Sequence, residues 1–311
     1  MKIIPISLII DDSGVVNMAH FHQPQYAHDL LIPPAFAKKF SAVCRENGIK
    51  GKFSVVPMPG GLGRVDRKLN RVPAEIVCET LRIIKKEIEP IFSITPEILT
   101  HYQAYDVNND KFLHVFEDVY FSHLSVPEIT DYVSLALEIL QNCGLNPTGV
   151  TSPWSCAIDN EMNYARGIGK AFRRVMKTDR CFYFLHSYDD MKKPVLMCNS
   201  KITGQVVSIP NNTFDPFSGT MLPAGVRAAR VSAGKNIDRI LSPDGKTGIA
   251  RELFEQGFPI ILISHWQRLY SDGRLIGLEG LDLLAQRVNR VFGKQIQWVT
   301  FQELASDYQK T

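Results

Sequence analysis

The sequence has no apolar run long enough to cross a membrane, no block of like charge and no cysteine pair at metal or redox spacing. Each absence removes a class of function. The longest uncharged apolar runs fall well short of the ~20 residues that a membrane-spanning helix needs, so no membrane partner is expected. With 35 basic and 32 acidic residues, a formal net charge of +3 and no polybasic stretch, a nucleic-acid partner is not indicated either. The six cysteines (Cys44, Cys78, Cys143, Cys156, Cys181 and Cys198) are scattered singly. That pattern argues for reduced, structural thiols and against a disulfide framework. No composition shift or internal repeat marks a boundary, so 1–311 reads as a single domain. Lys2 and the apolar stretch behind it could pass for a leader. Pro5 interrupts that stretch, Asp11-Asp12 end it, and no small-residue cleavage site follows. The expectation is a cytoplasmic protein whose first strand begins close to Met1.

What is present centres on Ile3 to Gly14, IIPISLIIDDSG. An uncharged apolar run of this length suits a strand buried on both faces, the habit of parallel sheets. Ligands gather at the carboxyl ends of such strands. Asp11 and Asp12 stand at that end. Two adjacent carboxylates there need a positive counterpart, and a bound cation would supply one. A solvated turn is the plainer alternative.

Farther along, apolar strands alternate with helical patterns. Lys52 to Val56, Ile91 to Ile94, Thr148 to Ser152, Cys181 to Leu185, Val195 to Cys198, Gln205 to Ile209, Pro259 to Ser264 and Gln295 to Val299 read as strands. Ser125 with Glu128 and Thr300 with Glu303 have capping-box spacing and predict helix starts. Residues 15–34, with His20, His22 and His28, form a long loop of the kind that is usually functional. The segment from Tyr102 to about Ser122 reads as irregular, and 211–246 as a functional loop with one short helix. The alternation predicts an α/β protein, a closed or nearly closed parallel barrel.

Several strands end in groups of catalytic type. Asp11 and Asp12 follow the first, His101 and Asp106 the third, Trp154 the fourth, Asn211-Asn212 a later one and His265-Trp266 the last apolar one. In a parallel barrel these would share one rim. His114, His123 and His186 have no partners at metal spacing and read as structural or exposed.

This order of motifs resembles the polysaccharide deacetylases, whose fold is a distorted (β/α)7 barrel with parallel strands and outer helices. Ile9-Ile10-Asp11-Asp12-Ser13-Gly14 is similar to the family's first motif, and Lys52-Phe53-Ser54-Val55-Val56 to its second strand. Gly149 to Trp154 is similar to the third motif and Ile263-Ser264-His265 to the last catalytic strand. The resemblance spans nearly the whole chain. It implies metal-dependent removal of an N- or O-acetyl group from a carbohydrate. It also implies a divalent metal, commonly zinc, with nickel, cobalt or manganese as alternatives. Carried over by position, Asp11 would be the general base, Asp12 and His101 metal ligands, and His265 the general acid. Trp154, Trp266 and His22 would face the sugar, with packing under loops the equal alternative for the two tryptophans. Two positions depart from the pattern. The family's second histidine falls on Tyr105, which leaves Asp106 as the nearest substitute ligand, with His20 or His22 of the first loop as the alternative. The family's arginine falls on Thr151, so the group that orients the base is missing there.

Two other readings stay open. His20-Phe21-His22-Gln23-Pro24 resembles the His-Gln-Pro motif of family 57 glycoside hydrolases, but it comes about ten residues late, and no second carboxylate at retaining-glycosidase spacing is evident. A barrel with altered catalytic groups could also serve as a carbohydrate-binding protein. The sequence names neither the sugar nor the oligomeric state.

Overall fold

The computed structural model describes residues 3–27, 29–154, 156–187 and 191–309. His28 lies outside them. The strands are β1 (Ile4–Asp11), β2 (Gly51–Val55), β3 (Phe92–Pro96), β4 (Gln103–Asp106), β5 (Lys111–Phe116), β6 (Gly149–Thr151), β7 (Arg180–Phe184), β8 (Val195–Ser200), β9 (Gly204–Ser208), β10 (Ile260–His265) and β11 (Ile296–Trp298). Parallel ladders run β10-β1-β2-β3, with β11 also on β1, and separately β6-β7-β9. The strand β8 lies antiparallel to β9.

Single contacts join the two sheets. Parallel bridges Ile94 to Pro147 and Glu97 to Thr151 link β3 to β6. Beyond β9, Asn212 does the joining. Its side-chain oxygen accepts the Ile261 N–H at 2.9 Å, and its amide donates to the Pro259 carbonyl at 2.8 Å. Seven parallel strands (β1, β2, β3, β6, β7, β9 and β10) therefore make a distorted barrel with helices outside. This is the α/β architecture that the alternation of elements predicts.

Strand alternation divides the barrel. Ile6, Leu8 and Ile10 of β1 pack outward with the helix residues Phe36 and Phe40, while Ile9 faces inward with Phe182, Phe184, Val207, Ile261 and Ile263. Phe301 and Leu304 of the helix Phe301–Tyr308 join this inner cluster. On β2 and β3 the outward residues are Phe53 and Ile94, so the alternate positions, Lys52, Ser54, Thr95 and Glu97, fall on the other face; all four are buried. One side of the interior is thus apolar and the other polar. Asp11 follows Ile9 on the same face and stands beside His265 in register.

Both capping boxes form. Glu128 accepts the Ser125 N–H at 2.8 Å, and Glu303 the Thr300 N–H at 2.7 Å. Two segments differ from expectation. The stretch expected to be irregular folds as the antiparallel hairpin β4-β5 followed by the helix Glu117–Phe121. The stretch 211–246 contains a full helix, Val226–Ile240, rather than a short one. Its buried face is Ala229, Ala233, Ile237 and Ile240, and the small residues in it give a weak apolar signal. Among the described residues no helix is long and apolar enough to cross a membrane. The six cysteines are free.

Candidate active site

At the carboxyl ends of the barrel strands lies a cavity of about 270 Å³. Asp11, Asp12, His22, His101, Trp154 and His265 all line it. Of the two loops expected to be functional, 15–34 contributes to this lining among the described residues, through Ala19, His22 and Gln23, and 211–246 does not.

Asp11 and Asp12 part company at the end of β1. Asp11 is still in the strand and faces Lys52, a fully buried lysine of β2 whose ammonium contacts Asp11 Oδ1. The same ammonium donates to Thr151 Oγ1 at 2.6 Å, and Thr151 also contacts Thr95 at 2.8 Å. The cation beside Asp11 is therefore not missing. It comes from β2, and Thr151 is its hydrogen-bond acceptor.

Asp12 turns into the left-handed region, with φ 59°. Its N–H donates to Glu97 Oε2 at 2.7 Å, and Oδ2 accepts from Gln267 at 2.5 Å. Oδ1 lies 2.9 Å from His101 Nε2, and the other ring nitrogen of His101 lies 3.4 Å from Glu97 Oε1. One imidazole thus stands between two buried carboxylates. Burial by itself would depress the His101 pKa, but Asp12 and Glu97 raise it to about 9. Burial pushes Glu97 up against the pull of His101, and with the charges of Asp12 and Asp11 it reaches about 7. Burial opposes ionisation of Asp12 too, yet His101 holds it well below the ordinary carboxylate range.

Asp12, Glu97 and His101 each offer a ligand atom, and these atoms lie within 4.8 Å of one another. Asp12 Oδ1 and His101 Nδ1 are buried without an aligned hydrogen-bond partner, a state that is costly unless something else engages them. Two carboxylate oxygens and one imidazole nitrogen, with the cavity beside them, suit a divalent cation such as zinc or manganese. The group fits a metal.

Asp106 does not belong to that group. It sits at the tip of the β4-β5 hairpin and accepts from the Asn108 and Asn109 N–H groups, each at 3.1 Å. Tyr105 is tied to Asp110 and packs on Phe112. Glu97 provides the second carboxylate instead. The spacing Glu97-x-x-x-His101 behind a strand was the available signal for it. Trp266 is a second correction. It is buried among Phe36, Phe40 and Phe53 and donates to the Gly14 carbonyl at 3.1 Å, so it offers no face to a sugar.

Trp154 is 42% exposed, has φ 47° and stacks on the His101 ring at 4.5 Å. A bulky residue with positive φ carries strain of roughly 1–3 kcal/mol, which clusters at functional sites. His22, rather than His20, reaches the cavity. It hydrogen-bonds the His101 carbonyl, with its ring 4.9 Å from Trp154. Burial first, then the nearby His101 charge, lowers its pKa to about 4, so it is neutral. His265 Nδ1 lies 2.8 Å from Asp215 Oδ2, which also accepts from Arg268 at 2.9 Å. Burial and Arg268 oppose the His265 charge, but Asp215 and the Asp12 charge together raise its pKa. No motif announced Asp215; it lies in the loop after β9.

Three solved structures share this architecture. The first is a protein of Mycobacterium smegmatis described as a polysaccharide deacetylase. It aligns at 14% identity and a TM-score of 0.52, over 99% of this chain and 96% of its own. The second is a Pseudomonas aeruginosa protein described likewise, at 13% identity and 0.52, over 88% and 72%. The third is an allantoinase, at 12% identity and 0.57, over 99% and 90%. The chain has the polysaccharide deacetylase fold. At these identities the deacetylase likeness is one of architecture, and the chemistry must come from the side chains above. No protein-family model and no curated protein matches the sequence.

Proposed function

We propose that this protein is a metal-assisted hydrolase that removes an acetyl group, from nitrogen or oxygen, from a carbohydrate. The observation that carries the reading is the convergence of Asp11, Asp12, Glu97, His101 and His265 on one cavity at the carboxyl ends of the strands. Asp12, Glu97 and His101 would hold a divalent cation, zinc being the first candidate with manganese, cobalt or nickel as alternatives. Such a cation would supply Lewis-acid polarisation of the scissile carbonyl and lower the pKa of nearby water.

The chain's own groups divide the rest of the work. Asp11 takes a proton from the attacking water, with its carboxylate oriented by the Lys52 ammonium. His265, held by Asp215 and favouring its charged form, gives a proton to the departing amine or alcohol. Trp154 offers a stacking face to a sugar ring and His22 a neutral polar edge.

The test is release of amine or acetate from a panel of N- and O-acetylated sugars, with and without a chelator, in wild type and His101→Ala. Allantoin belongs in the panel because of the allantoinase likeness. Turnover that the chelator abolishes and added metal restores supports the reading. Absence of metal-dependent turnover across the panel overturns it, and retained sugar binding would then favour a carbohydrate-binding role.

A further inference from the structure

Glu117 is fully buried, yet it lines no part of the cavity. It opens the helix Glu117–Phe121 behind the β4-β5 hairpin, and its N–H donates to the Tyr102 carbonyl at 2.9 Å. Its carboxylate takes three successive backbone amides. Oε1 accepts from Leu99 and Thr100, each at 3.0 Å, and Oε2 accepts from His101 at 2.9 Å. The hydroxyl of Tyr132, from the helix Val126–Asn142, donates to Oε1 at 2.7 Å. Four donors thus converge on two oxygens.

The turn held in this way contains His101, whose φ of 49° lies in the left-handed region, uncommon for any residue other than glycine. Something must over-determine that conformation for it to persist. From the same backbone position the imidazole reaches Asp12 and Glu97. We infer that Glu117 is a positioning residue for the candidate metal site: its carboxylate clamps the 99–101 turn and thereby sets where the His101 ring stands. The β4-β5 insertion and its helix then serve to deliver this carboxylate. The inference rests on the reading of Asp12, Glu97 and His101 as a cation site.

Glu117→Gln makes the sharpest test. A glutamine has the same shape, but its NH2 group brings donors to a place that already holds only donors, so part of the clamp must open. Zinc affinity of the chelator-stripped protein is measured by competition titration, beside thermal stability and amide hydrogen exchange. Glu117→Gln is expected to weaken zinc binding roughly 10–100-fold, the usual effect of losing a group that orients a metal ligand. The exchange of the Leu99, Thr100 and His101 amides is expected to quicken at least tenfold, with the β2 amides unchanged. Tyr132→Phe, which removes one of the four donors, is expected to give a smaller loss in the same direction. If Glu117→Gln lowers only the melting temperature and leaves zinc affinity unchanged, the positioning role is wrong. If the three amides exchange as in wild type, the clamp itself is wrong. A wild-type protein that takes up no zinc, manganese, cobalt or nickel would instead overturn the cation site, and with it this role, whatever the exchange rates.

Discussion

Asp11 and Asp12 are neighbours in sequence, and the two sides of the barrel mouth treat them differently. On the Asp11 side the chain supplies its own cation: Lys52 is fully buried, contacts Asp11 and gives a second hydrogen bond to Thr151. On the Asp12 side an imidazole is shared between two carboxylates, and buried polar atoms remain without aligned partners. The first arrangement is closed and needs nothing further. The second is open to a cation. The left-handed backbone at Asp12 decides which is which, since Asp11 ends the strand whereas Asp12 has φ 59°.

The largest way to break this contrast is Lys52→Met. It strands a buried carboxylate, and losing one partner of a buried pair costs about 3–5 kcal/mol. Chemical denaturation should show that loss, and adding Asp11→Asn should recover much of it. Asp12→Asn, measured in the metal-free protein, should cost clearly less. Equal costs would mean that the two sides are built alike.

Next comes His101→Ala. It removes the only imidazole of the proposed donor set, so divalent metal affinity should fall by more than the roughly 10–100-fold that loss of an outer partner brings. Titration with zinc reads this directly.

A smaller effect concerns pH. In the metal-free fold the His101 pKa is raised to about 9, against about 6.5 in an unfolded chain. The fold therefore binds the proton more tightly than the unfolded chain does. The resulting stabilisation is fully present below about pH 6.5 and is lost as pH rises through 9. Denaturation of chelator-treated protein across that window should show falling stability. Zinc affinity should rise over the same range, because the metal must displace this proton. A flat profile in both would remove His101 from its place between the carboxylates.

The smallest expected effect is that of Asp106→Asn. Its carboxylate serves the hairpin turn, so zinc affinity should stay within error of wild type.

Much of this was legible because strand order and strand-end residues are local signals. The apolar run into Asp11-Asp12 marks the first strand and the carboxylates at its end, and the place of His265 is read off the end of PIILIS in the same way. The fold followed from the alternation of such strands with capped helices. What was not legible depends on geometry that sequence does not carry. Lys52 alternates with Phe53 as a residue of a solvated strand face would, and only the barrel arrangement of the strands turns that face inward. Glu97 precedes His101 by one helical turn, yet the left-handed backbone at His101 is what brings their side chains together. Asp215 and Glu117 act from a loop and from an insertion, where no periodic pattern points to a partner. Trp266 follows a catalytic-type histidine and still faces the core, because the helix Trp266–Tyr270 begins at that residue and turns it under the loops.

The central claim is that Asp12, rather than Asp11, opens onto a cation. Elemental analysis of protein purified without added metal or chelator, and again after metal reconstitution, tests it most directly in wild type, Asp12→Ala and Asp11→Asn. Wild type should carry near-stoichiometric zinc, manganese, cobalt or nickel, Asp12→Ala should lose it and Asp11→Asn should retain it. No metal in wild type even after reconstitution, or equal metal in Asp12→Ala, would contradict the claim.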